Sequence, residues 1–239
     1  MDHHHYTWSM QYHATNKTKS YEFMPTAEKT IEMLSKDGKF DQAARMRKEI
    51  AEFLESDKEY GEAAKEYEKA AKLYEIDDRV SFAIQCKVKA ADLIIITDEP
   101  DYAKAIELYD NVISEYMKKD TLKGSAKSLM IKVWLCHLAN DDLVAAQNKY
   151  TDFCSDDTSF INGREGVFVS NMLKIKESND VDAFQKNCFQ YNKITPFDKQ
   201  LTKILEKVKD RLDPVKNLNL DGNDDNEDEV LKDQVPDFT

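Results

Sequence analysis

The side chains able to do covalent or acid–base chemistry are few in this sequence and stand far apart. Four cysteines, Cys86, Cys136, Cys154 and Cys188, form no CxxC pair, so the spacing needed by a zinc knuckle or a redox dithiol is missing. They read as reduced, mostly buried thiols. Of the histidines, His3 to His5 form a triplet that could hold a metal ion weakly. His137 follows Cys136 in the apolar stretch Trp134 to Leu138 with no second ligand at metal-binding spacing, and reads as a packed core histidine rather than a base or a ligand. Carboxylates are so numerous that no pair stands out as a general acid and base. Neither GxxxxGKS, GxxxxGKT nor GxGxxG occurs, which removes the glycine-rich nests that cradle phosphates. No catalytic residue, metal or cofactor is expected, and function should reside in surfaces.

Composition narrows the kind of surface. The net charge of −12 argues against a nucleic-acid partner held by general charge, because neutralising phosphates needs a basic face. Residues 221–239 hold eight acids against Lys232 and so carry seven of those twelve charges. Apolar runs stay far below the roughly 20 residues of a membrane span, the nearest, Leu93 to Ile96, being interrupted by Asp92 and Asp98. Nothing at the N-terminus resembles a secretory signal. A reducing, cytoplasmic location is expected.

The elements that must build these surfaces are helices. Only six Gly and five Pro punctuate 239 residues, and Ala, Lys, Glu, Leu and Ile dominate. One phrase recurs, a large apolar residue followed two or three positions later by Ala: Phe40 with Ala43-Ala44, Tyr60 with Ala63-Ala64, Tyr102 with Ala105, and Leu143 with Ala145-Ala146. In three copies a Tyr follows, at Tyr67, Tyr109 and Tyr150. On a helix this spacing forms one stripe where Ala lets a neighbour approach closely. Tyr60, Tyr102 and Leu143 are separated by 42 and 41 residues, the length of one helix–turn–helix unit in tetratricopeptide-like arrays. Helices are predicted near 22–36, 39–56, 59–75, 79–97, 101–119, 124–140, 142–154, 164–178, 180–191 and 197–212. Capping and breaking residues such as Asp57-Lys58, Asp77-Asp78, Asp141-Asp142 and Asn162-Gly163 lie between them. The expected organisation is an irregular leader over 1–21, a helical-repeat domain over 22–213 and an acidic, disordered tail over 214–239.

Several phrases, in one order from Glu22 to Leu212, resemble the soluble NSF attachment protein (SNAP) family, chiefly its alpha form. They include Gly38-Lys39-Phe40…Ala43-Ala44-Arg45, Cys86…Lys89…Ala91, Lys104-Ala105-Ile106-Glu107-Leu108-Tyr109, Ser125-Ala126-Lys127, Leu135-Cys136-His137, Gln147…Lys149-Tyr150 and Arg164-Glu165. The resemblance implies an all-α, tetratricopeptide-like right-handed solenoid of antiparallel helix hairpins, ending in a C-terminal helical bundle. It implies an adaptor, not an enzyme, that binds the SNARE four-helix bundle and recruits the AAA ATPase NSF to disassemble it, associating peripherally with membranes through the SNAREs. The SNARE-facing residues it implies are Lys39, Arg45, Lys89, Lys127 and Arg164. The NSF-facing ones are Asp141 and Glu177, with Glu227, Asp228, Glu229 and Leu231 as the nearest counterpart of the family's acidic run and final leucine.

Three departures accompany the resemblance. Gln85 stands where the family usually has a further lysine, a turn before Lys89. Lys174 and Ser178 stand where acids are usual. The family's first helical hairpins and their membrane-touching apolar loop are expected to lack a counterpart, which would expose an apolar solenoid end unless Tyr6, Trp8 and Tyr12 fold over it. A generic helical-repeat scaffold for another peptide ligand is the alternative.

Overall fold

The computed structural model describes the backbone of residues 17–212 and the side chains of 24–212. The leader up to residue 16, the tail from 213, and with them Glu227, Asp228, Glu229 and Leu231 lie outside the described residues. The described residues contain eleven α-helices, a 3-10 turn at Asp120–Leu122 and no strand. The chain resolves into two compact units, residues 1–93 and 94–239.

The first unit holds α1 (Lys17–Lys36), α2 (Phe40–Ser56), α3 (Tyr60–Ile76) and most of α4 (Val80–Ile95). A twenty-residue period runs through it. Leu34, Leu54 and Tyr74 are buried in the last turns, Ala43, Ala63 and Ala83 are at most 2% exposed near the starts, and Ala51, Ala71 and Ala91 are at most 1% exposed further along. Small residues at the crossings let α2 pack closely on α3 and α1 on α2.

Each turn repeats one device. At Gly38, Lys58 and Asp78 the backbone enters the left-handed region, with φ of 72°, 65° and 54°. The next amide then returns to the carbonyl five residues back: Lys39 to Leu34 at 2.8 Å, Glu59 to Leu54 at 2.9 Å, Arg79 to Tyr74 at 2.8 Å. These are Schellman caps, which satisfy the last carbonyls of a helix while reversing the chain.

Across the same unit, the Arg47 guanidinium donates two bonds of 2.6 Å to Glu28 on α1 and one of 2.9 Å to Glu66 on α3, and Glu66 also receives Lys69 at 2.6 Å. Arg47 and Glu66 side chains are each 11% exposed, so removing the cation would strand a buried acid. Arg47→Met is expected to cost about 2 kcal/mol near neutral pH. The Arg47 hydrogen bonds hold the Glu28 carboxyl below its ordinary 4.5. A lowered folded pKa means that this stabilisation is complete above about pH 4.5 and fades as pH falls through the lower folded value. The stability gap between wild type and variant should therefore narrow as pH falls through the lowered Glu28 value. A stability gap independent of pH would refute the assignment.

The second unit continues with α5 (Tyr102–Met117), α6 (Lys123–Ala139), α7 (Leu143–Asp156), α8 (Thr158–Ile161), α9 (Arg164–Ser178), α10 (Val181–Asn192) and α11 (Lys199–Asp210). The second half of helix α6 is enclosed on every side, with residues Leu129 to Cys136 all buried. A helix of that kind must lie in the middle, and α5, α7, α9 and α11 pack around it. Trp134, fully buried, donates its indole N–H to the Ala146 carbonyl at 2.9 Å. Asp101, Asp142, Asp157, Asp180 and Asp198 cap the starts of α5, α7, α8, α10 and α11, each accepting from a backbone amide.

The helix map from sequence agrees with most elements to within a few residues, with three differences. Helix α1 begins at Lys17 rather than Glu22: Lys17 to Tyr21 carry no apolar stripe, yet backbone bonds alone can extend a helix beyond its packed part. Helix α8 was not anticipated. Its four residues are too few to show a period, and it is held by Phe160, which is fully buried with ring centroids 5.9 Å from Phe153 and 6.3 Å from Tyr150. The fourth repeat phrase is only partly core, since Val144 is 69% exposed while Ala146 is buried. All four cysteines are free, three of them buried. His137 is half-buried rather than enclosed, and burial, then the Lys149 charge, pushes its pKa down, which favours the neutral ring.

Candidate protein-docking surfaces

The candidate docking residues begin with three on the first unit. Lys39 follows the α1–α2 cap and pairs with Asp37 at 3.5 Å. Arg45, one turn into α2, pairs with Asp41 at 2.8 Å, four residues back on the same helix. Lys89 on α4 reaches Glu55 at the end of α2 at 2.9 Å. The three side chains remain 53%, 64% and 52% exposed, so each pair contributes little, about 0–1 kcal/mol, and its cation can be drawn away by a better acid. Gln85 lies one turn before Lys89, is exposed, and adds no charge.

Two more lie on the second unit. Lys127 on α6 pairs with Asp157 at 3.3 Å and donates to the Ser159 hydroxyl at 2.7 Å. Asp157 is held below the ordinary carboxylate range, first by the Ser159 hydroxyl and then, against the opposing effect of burial, by the Ser159 amide and Lys127. Arg164, at the start of α9, donates to the Thr195 hydroxyl at 2.7 Å and lies 3.8 Å from Glu165. Lys127 is the most restrained of the five, with its side chain 21% exposed.

The acidic candidates behave differently. Asp141 occupies the left-handed position of the α6–α7 turn, φ 60°, with its carboxylate 3.4 Å from Lys176 and 3.8 Å from Arg211. Arg211 in turn donates to the Ala139 carbonyl at 2.6 Å. The structure thus brings Asp141, Lys176 on α9 and Arg211 after α11 to one end of the second unit. Glu177 follows Lys176 in sequence and is exposed, with no ion pair or hydrogen bond among the described residues. One acid there is masked by two cations and the other is open.

Sequence reasoning missed the residues that hold these side chains. Glu55, Asp157 and Ser159 were not singled out, because their partners lie 34, 30 and 32 residues away on different helices. It also missed Lys132, whose side chain is 7% exposed although charged, and which pairs with Asp198 at 2.8 Å above the Tyr109 ring. Its burial within an apolar helix was the one available signal. Among the described residues no group of three or more His, Cys, Asp or Glu could hold a metal, and no helix is long and apolar enough to cross a membrane.

Helix pairs joined by short caps, with small residues at the crossings and charged residues on the outer faces, define an all-α helical-repeat protein, a class whose faces dock other proteins. Within that class, this chain belongs to the soluble NSF attachment protein family: the family model described as "Soluble NSF attachment protein, SNAP" matches residues 4–213. Among its relatives, the vesicular-fusion protein SEC17 of Coprinopsis cinerea is 30% identical over 183 residues, covering 76% of this chain and 63% of the relative. The alpha-soluble NSF attachment protein of Saccharomyces cerevisiae is 28% identical over 186 residues, covering 77% and 63%. That of Homo sapiens is 30% identical over 199 residues, covering 82% and 66%. The chain spans about 63% of the length of the first two of these relatives.

Proposed function

We propose that this chain is a non-enzymatic adaptor that binds assembled SNARE complexes and recruits an NSF-type AAA ATPase for their disassembly in vesicle trafficking and membrane fusion. The family match over residues 4–213 carries the reading, because it spans all five basic candidates together with Asp141 and Glu177. It favours an NSF adaptor over a generic peptide scaffold. Lys39, Arg45, Lys89, Lys127 and Arg164 provide the SNARE contacts, offering cations to an acidic helical rod. Asp141, Glu177, Glu227, Asp228, Glu229 and Leu231 face the ATPase. The protein works in the cytoplasm and reaches membranes peripherally, through the SNAREs it holds.

The test is disassembly of a preformed soluble SNARE bundle by NSF and ATP with this protein as sole adaptor. ATP-dependent release of the SNAREs is expected. A bundle that neither binds the protein nor comes apart would overturn the proposal.

A further inference from the structure

Glu55 is an acid anchored to the core beside a candidate SNARE contact. It sits in the last turn of α2, and its two oxygens serve two other helices. Oε2 accepts the Tyr67 hydroxyl of α3 at 2.9 Å, and Oε1 accepts the Lys89 ammonium of α4 at 2.9 Å. The two bonds are unequal in freedom. Tyr67 is 1% exposed, so its ring is locked in the core and its hydroxyl is held at one place. Lys89 is 52% exposed at the side chain against 29% for Glu55, and its ammonium rides on a flexible four-carbon stem.

The Tyr67 phenol is suited to this anchoring role. Burial first, and then the hydrogen bond to Glu55, drive its ionisation well above the usual tyrosine range, so it remains a donor. When Lys89 swings away, the carboxylate stays where Tyr67 holds it. Lys39–Asp37 and Arg45–Asp41 differ in kind, being pairs between residues two and four apart in sequence. Lys89–Glu55 joins separate helices through an acid tethered to the core.

We propose that Glu55 is an anchored internal competitor for Lys89, a counter-charge that an incoming acidic partner must displace, so that it sets how acidic a docking surface must be. This rests on the SNARE-binding reading above. A rod with a carboxylate in register with Lys89 exchanges one ion pair for another. A rod without one leaves Lys89 paired with Glu55 and gains no contact from that cation. Glu55 thereby sets a threshold, since only a partner acid able to outcompete it gains from Lys89.

Glu55→Gln tests the proposal, because the amide keeps an acceptor for Tyr67 and removes the charge. Affinity for a preassembled soluble SNARE bundle would be measured for wild type, Glu55→Gln, Lys89→Met and the double variant, with melting temperatures recorded for each. Glu55→Gln is expected to tighten binding about fivefold at low salt, whereas the same change should alter affinity less than about twofold once Lys89 is Met. Equal tightening with and without Lys89 would mean a general field effect and would overturn the inference, as would no tightening by a folded Glu55→Gln. Glu55→Met, which keeps length without charge, repeats the comparison should Gln disturb the fold. Absence of binding by the wild type would instead overturn the SNARE-binding reading, and this inference with it.

Discussion

Reversing Arg45 and Lys89 together to glutamate is expected to weaken binding to an assembled SNARE bundle about a hundredfold or more, while the protein stays folded. Both side chains project into solvent, at 64% and 52% exposure, so neither is needed for the core. Each reversal changes the local charge by two units, turning attraction for an acidic rod into repulsion. The structure adds a cost, because a glutamate at 45 would face Asp41 one turn away and a glutamate at 89 would face Glu55. Like charges at that spacing destabilise by about 0.5 kcal/mol each, small beside the 5–15 kcal/mol of a typical domain. Arg45→Gln with Lys89→Gln is the companion variant, which removes attraction without adding repulsion and should give an intermediate loss. Binding would be read by titration at two salt concentrations, since screening should shrink the difference. Unchanged affinity in the folded reversal variant would remove these two residues from the docking face.

The second large effect concerns Gly166 in the first turn of α9. A Cβ added there would overlap the Phe160 carbonyl oxygen and come within 2.8 Å of its carbon and 2.9 Å of the Ile161 oxygen. All three are backbone atoms, so no rotamer change relieves the clash. Retreat of α8 is blocked because Phe160 is fully buried against Phe153 and Tyr150. Gly166→Ala is therefore expected to cost about 3 kcal/mol, despite the roughly 1 kcal/mol by which Ala is the better helix former. Gly124→Ala is the control: it is also helical, a Cβ there meets nothing within 4 Å, and a small gain is expected. Denaturant unfolding distinguishes them. A Gly166→Ala variant as stable as wild type would show that α8 and α9 do not pack this closely. Arg164 lies two residues before Gly166, so displacing α9 should also move that cation off Thr195 and reduce SNARE binding.

Helix positions were legible where a local signal existed. The Ala pairs at 43–44 and 63–64 mark crossings that are fully or almost fully buried, and Lys58, Asp78 and Asp141 stood in the predicted joints as the left-handed caps found there. Helix α8 was hidden because four residues carry no period, and the start of α1 because polar residues can extend a helix silently. The basic candidates were legible only through the resemblance to a family. Lysines of a solvated helix face and lysines of a docking face have the same local pattern.

By itself the sequence determined the all-α class, the hairpin length and the family, because each depends on residue type at short spacing or on an ordered set of phrases. The tertiary structure alone decided which acids hold the candidate cations. Glu55 meets Lys89 across 34 residues and Lys127 meets Asp157 across 30, and such partners are chosen by how separate helices stack. It also decided that Asp141 is masked by Lys176 and Arg211 while Glu177 stays open, since the cations arrive on α9 and beyond α11. Charge is written in the chain, but whether it is available to a partner depends on which neighbours folding brings within reach.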